Sequence, residues 1–167
     1  MDQSFTILRI AVYPGSFDPI TNGHLDILKR SKSLFDKIII AVNDNPLKEF
    51  LFTAEERVNL IREVLKGCPE EIEVESFKGL LVHYVEKKGA RFIIRGLRAL
   101  SDFEREFQMN LMNRKLNSKI ETVYLMTNQR YSYLSSSIIK EIIKLGGGTR
   151  DLIPDLVRKK LLEKLKV

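Results

Sequence analysis

Apolar and amphipathic stretches alternate from one end of this chain to the other. Five short runs rich in Ile and Val predict strands: ILRIAVY (7–13), KIIIAVN (37–43), IEVES (72–76), RFIIRG (91–96) and IETVYLM (120–126). Three of them are nearly continuous in apolar residues, as strands buried on both faces are. Helical spacing of apolar residues fills about 22–35, 53–66, 79–88, 101–116, 135–145 and 155–166. Thr53 with Glu56, and Ser101 with Glu104, read as capping boxes at helix starts. Gly67, Gly89 and the run Gly146 to Gly148 stand where helices should stop. Strand-helix alternation on this scale predicts a single doubly wound, Rossmann-like α/β domain over 1–167. Its five-stranded parallel sheet would carry helices on both faces. No internal repeat, low-complexity tract or linker interrupts it.

In such a sheet, ligands bind beyond the carboxyl ends of the strands, near the switch point. Residues following each strand should then carry chemistry, and those preceding each strand should not. After the strands come PGSFDPITNGH, NDNPLKEF, FKGL, RGLRALSDFE and TNQRYSYLSSS. Before them come SLFD, GCPEE, KKGA and KLNSK, which suggest no chemistry.

Composition narrows the setting. A chain of 167 residues, 44% hydrophobic and 30% charged, can bury a core of its own and gives no sign of disorder. No apolar run approaches the roughly 20 residues of a membrane helix, so no membrane partner is expected. The start MDQSFTILRI lacks the layout of a signal peptide. Cys68 is the only cysteine, which leaves no internal disulfide or thiol cluster and suits a reducing, cytoplasmic location. A net charge of +6 raises nucleic-acid binding. Half of it sits in the last 14 residues, PDLVRKKLLEKLKV, where Val157, Leu161 and Leu165, with Leu162 beside them, form an apolar stripe. That segment reads as a surface helix with a solvated basic face, or as a patch that attracts polyphosphate or RNA. A basic chain can equally be one whose substrates are all anions.

The first loop is the densest in chemistry. Gly15 lets backbone approach a ligand, and Ser16 offers a hydroxyl and an N–H. Thr21 or Asn22 would cap the next helix, placing His24 in its first turn, where free N–H groups and the dipole favour phosphate. An imidazole there can donate to a phosphate oxygen and, when charged, stabilise charge developing on it. Asp18, before Pro19, reads as a turn former. Arg95 and Arg98 flank Gly96 at a strand end and could fork around phosphates. Ser135, Ser136 and Ser137 open a helix, and capping alone needs one serine. His83, among Leu80, Leu81, Val82, Tyr84 and Val85, reads as structural, with Leu80 and Leu81 as core residues. On 101–116, Phe103, Phe107 and Leu111 form one apolar face and Met109, Met112 and Leu116 another, with Glu106, Asn110 and Asn113 between them. One face should pack on the sheet and the other on a neighbouring subunit.

GSFDPITNGH resembles the phosphate-binding signature of the nucleotidyltransferase superfamily, and YSYLSSSIIKE its second signature. Between them, IIRGLRALSDFEREFQMNLMNRKL resembles the bacterial phosphopantetheine adenylyltransferases, and the similarity runs from about residue 8 to 165. The resemblance implies transfer of the adenylyl group of ATP to 4′-phosphopantetheine, giving dephospho-coenzyme A and pyrophosphate. It places Ser16 and Phe17 at the phosphate junction, with Ser16 meeting both substrates, and His24 on the α-phosphate of ATP. It gives Lys48, Leu81 and Arg95 to the acceptor, and Gly96, Leu97, Arg98 and Glu106 to the nucleotide. Tyr131, Ser132, Tyr133, Leu134, Ser135, Ser136 and Ser137 would close over adenine and phosphates. His24, Ser16, Lys48 and Arg95 would be the catalytic set. Feedback binding of coenzyme A and a homohexamer, a dimer of trimers, are further implications.

The acceptor nucleophile would itself be a phosphate with a second pKa of roughly 6, so no strong general base is required. None is suggested by the sequence, which shows neither a Ser-His-Asp arrangement nor paired carboxylates. Mg2+ would enter with ATP, with no protein metal site and no nucleic acid as partner. Rival readings are a sister nucleotidyltransferase with another acceptor, a flavodoxin-like FMN-binding or regulatory module, and a non-catalytic RNA-binding protein. The last would show steep salt-dependent affinity without transfer.

Overall fold

The structure, a computed structural model, describes residues 8–67, 71–98 and 100–166, apart from the side chains of 100–102. Cys68 and the Ser101 half of the expected Ser101–Glu104 cap lie outside the described residues. Five strands alternate with helices: β1 (Ile10–Gly15), α1 (Asn22–Ser31), β2 (Lys37–Asn43), α2 (Ala54–Val64), β3 (Ile72–Phe77), α3 (Leu81–Lys87), β4 (Phe92–Leu97), α4 (Leu100–Leu116) and β5 (Glu121–Met126). A short 3-10 turn, Gln129–Tyr131, then leads to α5 (Ser136–Lys144) and α6 (Asp155–Leu165). The sheet is parallel with order β3-β2-β1-β4-β5, so the winding reverses between β1 and β4.

Continuous apolar strands feed two cores. In β2, Ile38 and Ile40 pack with α1, α2, α5 and α6, while Ile39 and Ala41 pack on the opposite face with Val82 and Val85 of α3. In β1 and β4, Val12 and Ile93 go with α3, and Ala11, Tyr13 and Ile94 go to the other side. Side chains alternate across a strand, and with helices on both faces neither set can be polar.

Some boundaries move. β1 runs on through Pro14 and Gly15, which stand beside Ala41 and Val42, so the first loop begins two residues later than the apolar run suggests. α1 ends at Ser31, whose hydroxyl donates to Ile27 O at 2.7 Å. The Thr53–Glu56 box is present with both of its bonds. On α6, Val157 and Leu161 are fully buried and Lys164 pairs with Glu56 of α2 at 2.6 Å, while Arg158 and Lys159 face solvent. The apolar stripe therefore docks the helix, and its basic face lies outward.

Two expectations fail. His83 is exposed, because α3 is only two turns long and buries Val82 and Val85 instead; Leu80, its N-cap, is exposed too, and Leu81 is half-buried. On α4 neither apolar face packs on the sheet. Phe103, Phe107, Leu111, Met109, Met112 and Leu116 are all exposed, and the least exposed side is the polar stripe of Glu106, Asn110 and Asn113. The reason is a specific polar anchor: Glu106 pairs with Arg95 of β4, and the Tyr124 hydroxyl of β5 donates to Glu106 O at 2.9 Å. Among the described residues, no helix is long and apolar enough to cross a membrane.

Candidate active site

The reversal of winding between β1 and β4 opens the carboxyl edge of the sheet where the first loop leaves β1. Thr21, not Asn22, caps α1: its hydroxyl accepts from His24 N at 3.4 Å, and its own N–H donates to His24 Nδ1 at 3.0 Å. Asn22 instead donates to Asp151 O at 2.9 Å. This histidine version of a capping box fixes the ring. With Nδ1 accepting a backbone N–H, the proton of the neutral imidazole resides on Nε2, which is the donor left for a ligand. Burial pushes the His24 pKa down to about 4, helped by the nearby positive charges of Arg98 and Arg95. At neutral pH the ring is an uncharged donor, so the charged form considered from sequence is not the resting one.

Phe17 has a left-handed backbone (φ 47°), and its ring is buried, edge-on to Tyr13 at 5.4 Å and to His24 at 5.1 Å. A Cβ on Gly15 would stand 2.8 Å from that ring, so glycine is required there for packing. Phe17 therefore supports His24 from behind and can offer a ligand only backbone. Leu97 and Leu134 are buried in the same way.

Arg95 crosses beneath the loop. Its Nε donates to Glu106 Oε2 at 2.7 Å, Nη2 donates to Glu106 Oε1, and Nη1 reaches Pro14 O at 3.2 Å. Glu106 is thus tied to Arg95 and could meet the nucleotide only by releasing it. It orients the guanidinium, leaving the outer N–H groups for an anion. Gly96 faces α1, where an added Cβ would stand 3.2 Å from Ile27. Arg98 Nη1 donates to Leu134 O at 2.9 Å, tying the end of β4 to the serine turn.

In that turn the three serines divide their work. Ser135 caps α5 by accepting from Ile138 N at 3.1 Å, Ser136 donates to Pro19 O of the first loop at 2.7 Å, and Ser137 is exposed. Ser132 donates to Gln129 O at 2.9 Å, Arg130 stacks on Tyr131, and Tyr133 is exposed. The Ser136 bond, and the Tyr131 and Leu134 side chains packed against Gly23, bring the N-termini of α1 and α5 together. Two helix starts and the guanidinium groups of Arg95 and Arg98 then surround a neutral imidazole donor, an arrangement suited to polyphosphate.

Lys48 lies exposed on the loop after β2, which Asn45 shapes by accepting from Leu47 N at 2.9 Å. Leu81 sits half-buried at the start of α3. Ser16 contributes its carbonyl to Arg57 at 2.8 Å. A cleft of about 550 Å³ opens beside the loop, lined by Phe50, Leu51, Ser137, Lys140 and Leu165 among others. Among the described residues, no three His, Cys, Asp or Glu side chains gather into a metal-holding group.

Two buried charges escaped the sequence reading. Asp18 is a clasp and not merely a turn former: it accepts from Leu51 N and Phe52 N, each at 2.9 Å, and from Lys140 Nζ at 2.7 Å. Arg57, 1% exposed, stands on the apolar stripe of α2 with Leu60 and Ile61. An arginine three and four residues from buried apolar positions was the signal that could have found it.

This carboxyl-edge site, with a phosphate-competent helix start after the first strand, defines a nucleotidyl-transferring class of doubly wound protein. The chain belongs to the cytidylyltransferase-like family, whose family model matches residues 12–142, and within it to the phosphopantetheine adenylyltransferases. Relatives of that name include one from Caldanaerobacter subterraneus subsp. tengcongensis, 54% identical over 95% of this chain and 99% of the relative. Another, from Carboxydothermus hydrogenoformans, is 55% identical over 95% of this chain and 98% of the relative. A third, from Clostridium novyi, is 52% identical over 95% of this chain and 98% of the relative.

Proposed function

We propose that this chain transfers the adenylyl group of ATP to 4′-phosphopantetheine, giving dephospho-coenzyme A and pyrophosphate, the penultimate step in making coenzyme A. The observation that carries the reading is the gathering of His24, Arg95, Arg98 and two helix N-termini at the switch point, in a chain about half identical to enzymes of that name. An oxygen of the acceptor phosphate attacks the α-phosphorus in line. The bond from that phosphorus to the oxygen bridging to the β-phosphate breaks, and pyrophosphate departs. A dianionic nucleophile needs no base, so the protein's task is to hold two anions in line and neutralise their repulsion. His24 Nε2–H donates to the α-phosphate, Ser16 and the N–H groups of the first loop flank it, and Arg95 and Lys48 hold the acceptor phosphate beside Leu81. Gly96, Arg98 and the turn from Tyr131 to Ser137 enclose the nucleotide, which enters as its magnesium complex. The direct test mixes protein, Mg-ATP and phosphopantetheine: dephospho-coenzyme A and pyrophosphate should appear in equal amounts, and their absence with folded protein would refute the reading.

Lys48→Ala is expected to raise the KM for phosphopantetheine about tenfold while moving that for ATP much less, since a solvated lysine contributes a single charge-assisted bond. Steady-state kinetics with each substrate varied in turn checks this, and equal shifts in both constants would take Lys48 away from the acceptor.

The two uncovered faces of α4 support a homo-oligomer, for which we propose six subunits with closed symmetry. Met112→Asp would place a charge in an apolar contact, costing several kcal/mol unless the contact opens. Sedimentation should show an oligomer for the parent protein and smaller species for a still-folded variant; a parent that sediments as a monomer at micromolar concentration would exclude the assembly. A cytoplasmic location and feedback binding of coenzyme A complete the proposal.

A further inference from the structure

The Lys48 loop spans 44–50 and is exposed through most of its length, yet both of its roots are held by one buried side chain. Arg57 Nη1 donates to Asn43 O at 3.0 Å, at the root where the loop leaves β2, and to Ser16 O of the first loop at 2.8 Å. Its Nε donates to Phe52 O at 3.1 Å and more weakly to Thr53 O at 3.3 Å, at the root where the loop enters α2. The guanidinium lies 4.0 Å from the centre of the Phe50 ring. Residues 51 and 52 are gripped from the other side as well, since Asp18 takes their N–H groups. One planar fork therefore fixes the separation between the start of the Lys48 loop, its end and the carbonyl of Ser16.

This is not the arrangement that stability alone would select. The guanidinium occupies a position on the apolar stripe of α2, and burial lowers its pKa. Its Nη2 is buried without a hydrogen-bond partner among the described residues, which costs stability. A leucine there would fill the stripe without burying a charge, but it would leave Ser16 O, Asn43 O and Phe52 O without their shared donor.

We infer that Arg57 is a positioning residue for the transfer: it sets the distance between the acceptor-holding loop and the first loop, so that Lys48 presents the acceptor phosphate to the centre held by Ser16 and His24. The inference rests on the adenylyltransferase reading and on Lys48 serving the acceptor. Arg57 touches neither substrate, and its effect passes through the loop.

Arg57→Lys keeps the charge but cannot span three carbonyls. It is expected to raise the KM for phosphopantetheine about fivefold to tenfold, with the KM for ATP changed less than twofold. In a Lys48→Ala background the same substitution should change the acceptor KM less than twofold, because a misplaced loop no longer carries the contact. A merely structural arginine would lower activity toward both substrates alike, and its effect would persist undiminished without Lys48. Either result overturns the inference, as does a Lys48→Ala protein whose two KM values shift equally. Should Arg57→Lys fail to give a cooperative melt, Phe50→Leu decides: it removes the ring beneath the guanidinium, and it should shift the acceptor KM in the same direction only when Lys48 is present. Unchanged kinetics in that variant would equally refute the coupling. Parent turnover, measured alongside, separates failure of this inference from failure of the assigned reaction.

Discussion

His24→Ala should lower turnover about 10²-fold or more while leaving ATP binding within about tenfold of the parent. The ring is anchored through Nδ1 to the Thr21 N–H, so Nε2–H is aimed by backbone geometry and costs no reorganisation when charge builds on the α-phosphate. His24→Asn, which keeps a donor but not its reach or its anchoring, should recover only part of the loss. Single-turnover rates and equilibrium ATP titrations on the same preparations check the split, and parent-like turnover in the alanine protein would remove His24 from the site. The same residue predicts an acid signature. Its pKa is about 4 in the fold against 6.5 for the free side chain, so between those values the unfolded chain binds more protons than the native one. Stability should therefore fall as pH drops from 6.5 toward 4, and the fall should be shallower in His24→Ala. Melting temperatures of both proteins across that window test it; parallel curves would show that His24 is not the group being forced to charge.

Arg95 is expected to give the other large effect. Removing it strips the acceptor of a guanidinium and also leaves Glu106, whose side chain is 14% exposed, as a carboxylate without its partner. Arg95→Ala should cost about 10²-fold in kcat/KM for phosphopantetheine, along with a visible loss of melting temperature. Arg95→Lys should restore the melting temperature better than the activity, because an ammonium can neutralise Glu106 but cannot at once occupy both carboxylate oxygens, Pro14 O and a phosphate. Full recovery of kcat/KM in the lysine protein would show that charge alone matters at this position. Glu106→Gln separates the roles further: if the carboxylate serves mainly to orient Arg95, the acceptor constants should suffer more than those for ATP.

Periodicity, with the caps, determined the five strands, the six helices and a parallel doubly wound sheet, though not its strand order, because a strand covered on both faces must be apolar at successive positions and a surface helix must show a stripe. The loops that carry the site were legible for a related reason. Turn chemistry and capping residues are local devices, and their partners lie within a few positions, as Thr21 and His24 do. What could not be read was any partnership across the chain. Nothing in the sequence marked Glu106 as the partner of Arg95, 11 positions away, until the sheet placed the two together. Asp18 looked like a turn former until the fold brought it Leu51, Phe52 and Lys140, the last 122 positions away. The face of α4 that meets the sheet was misassigned because hydrophobicity gives the sides of a helix but not which side a single ion pair will pull inward. Arg57 was missed because its partners are backbone carbonyls, which carry no mark in sequence and exist as a group only when the ends of β1 and β2 and the start of α2 have been brought together.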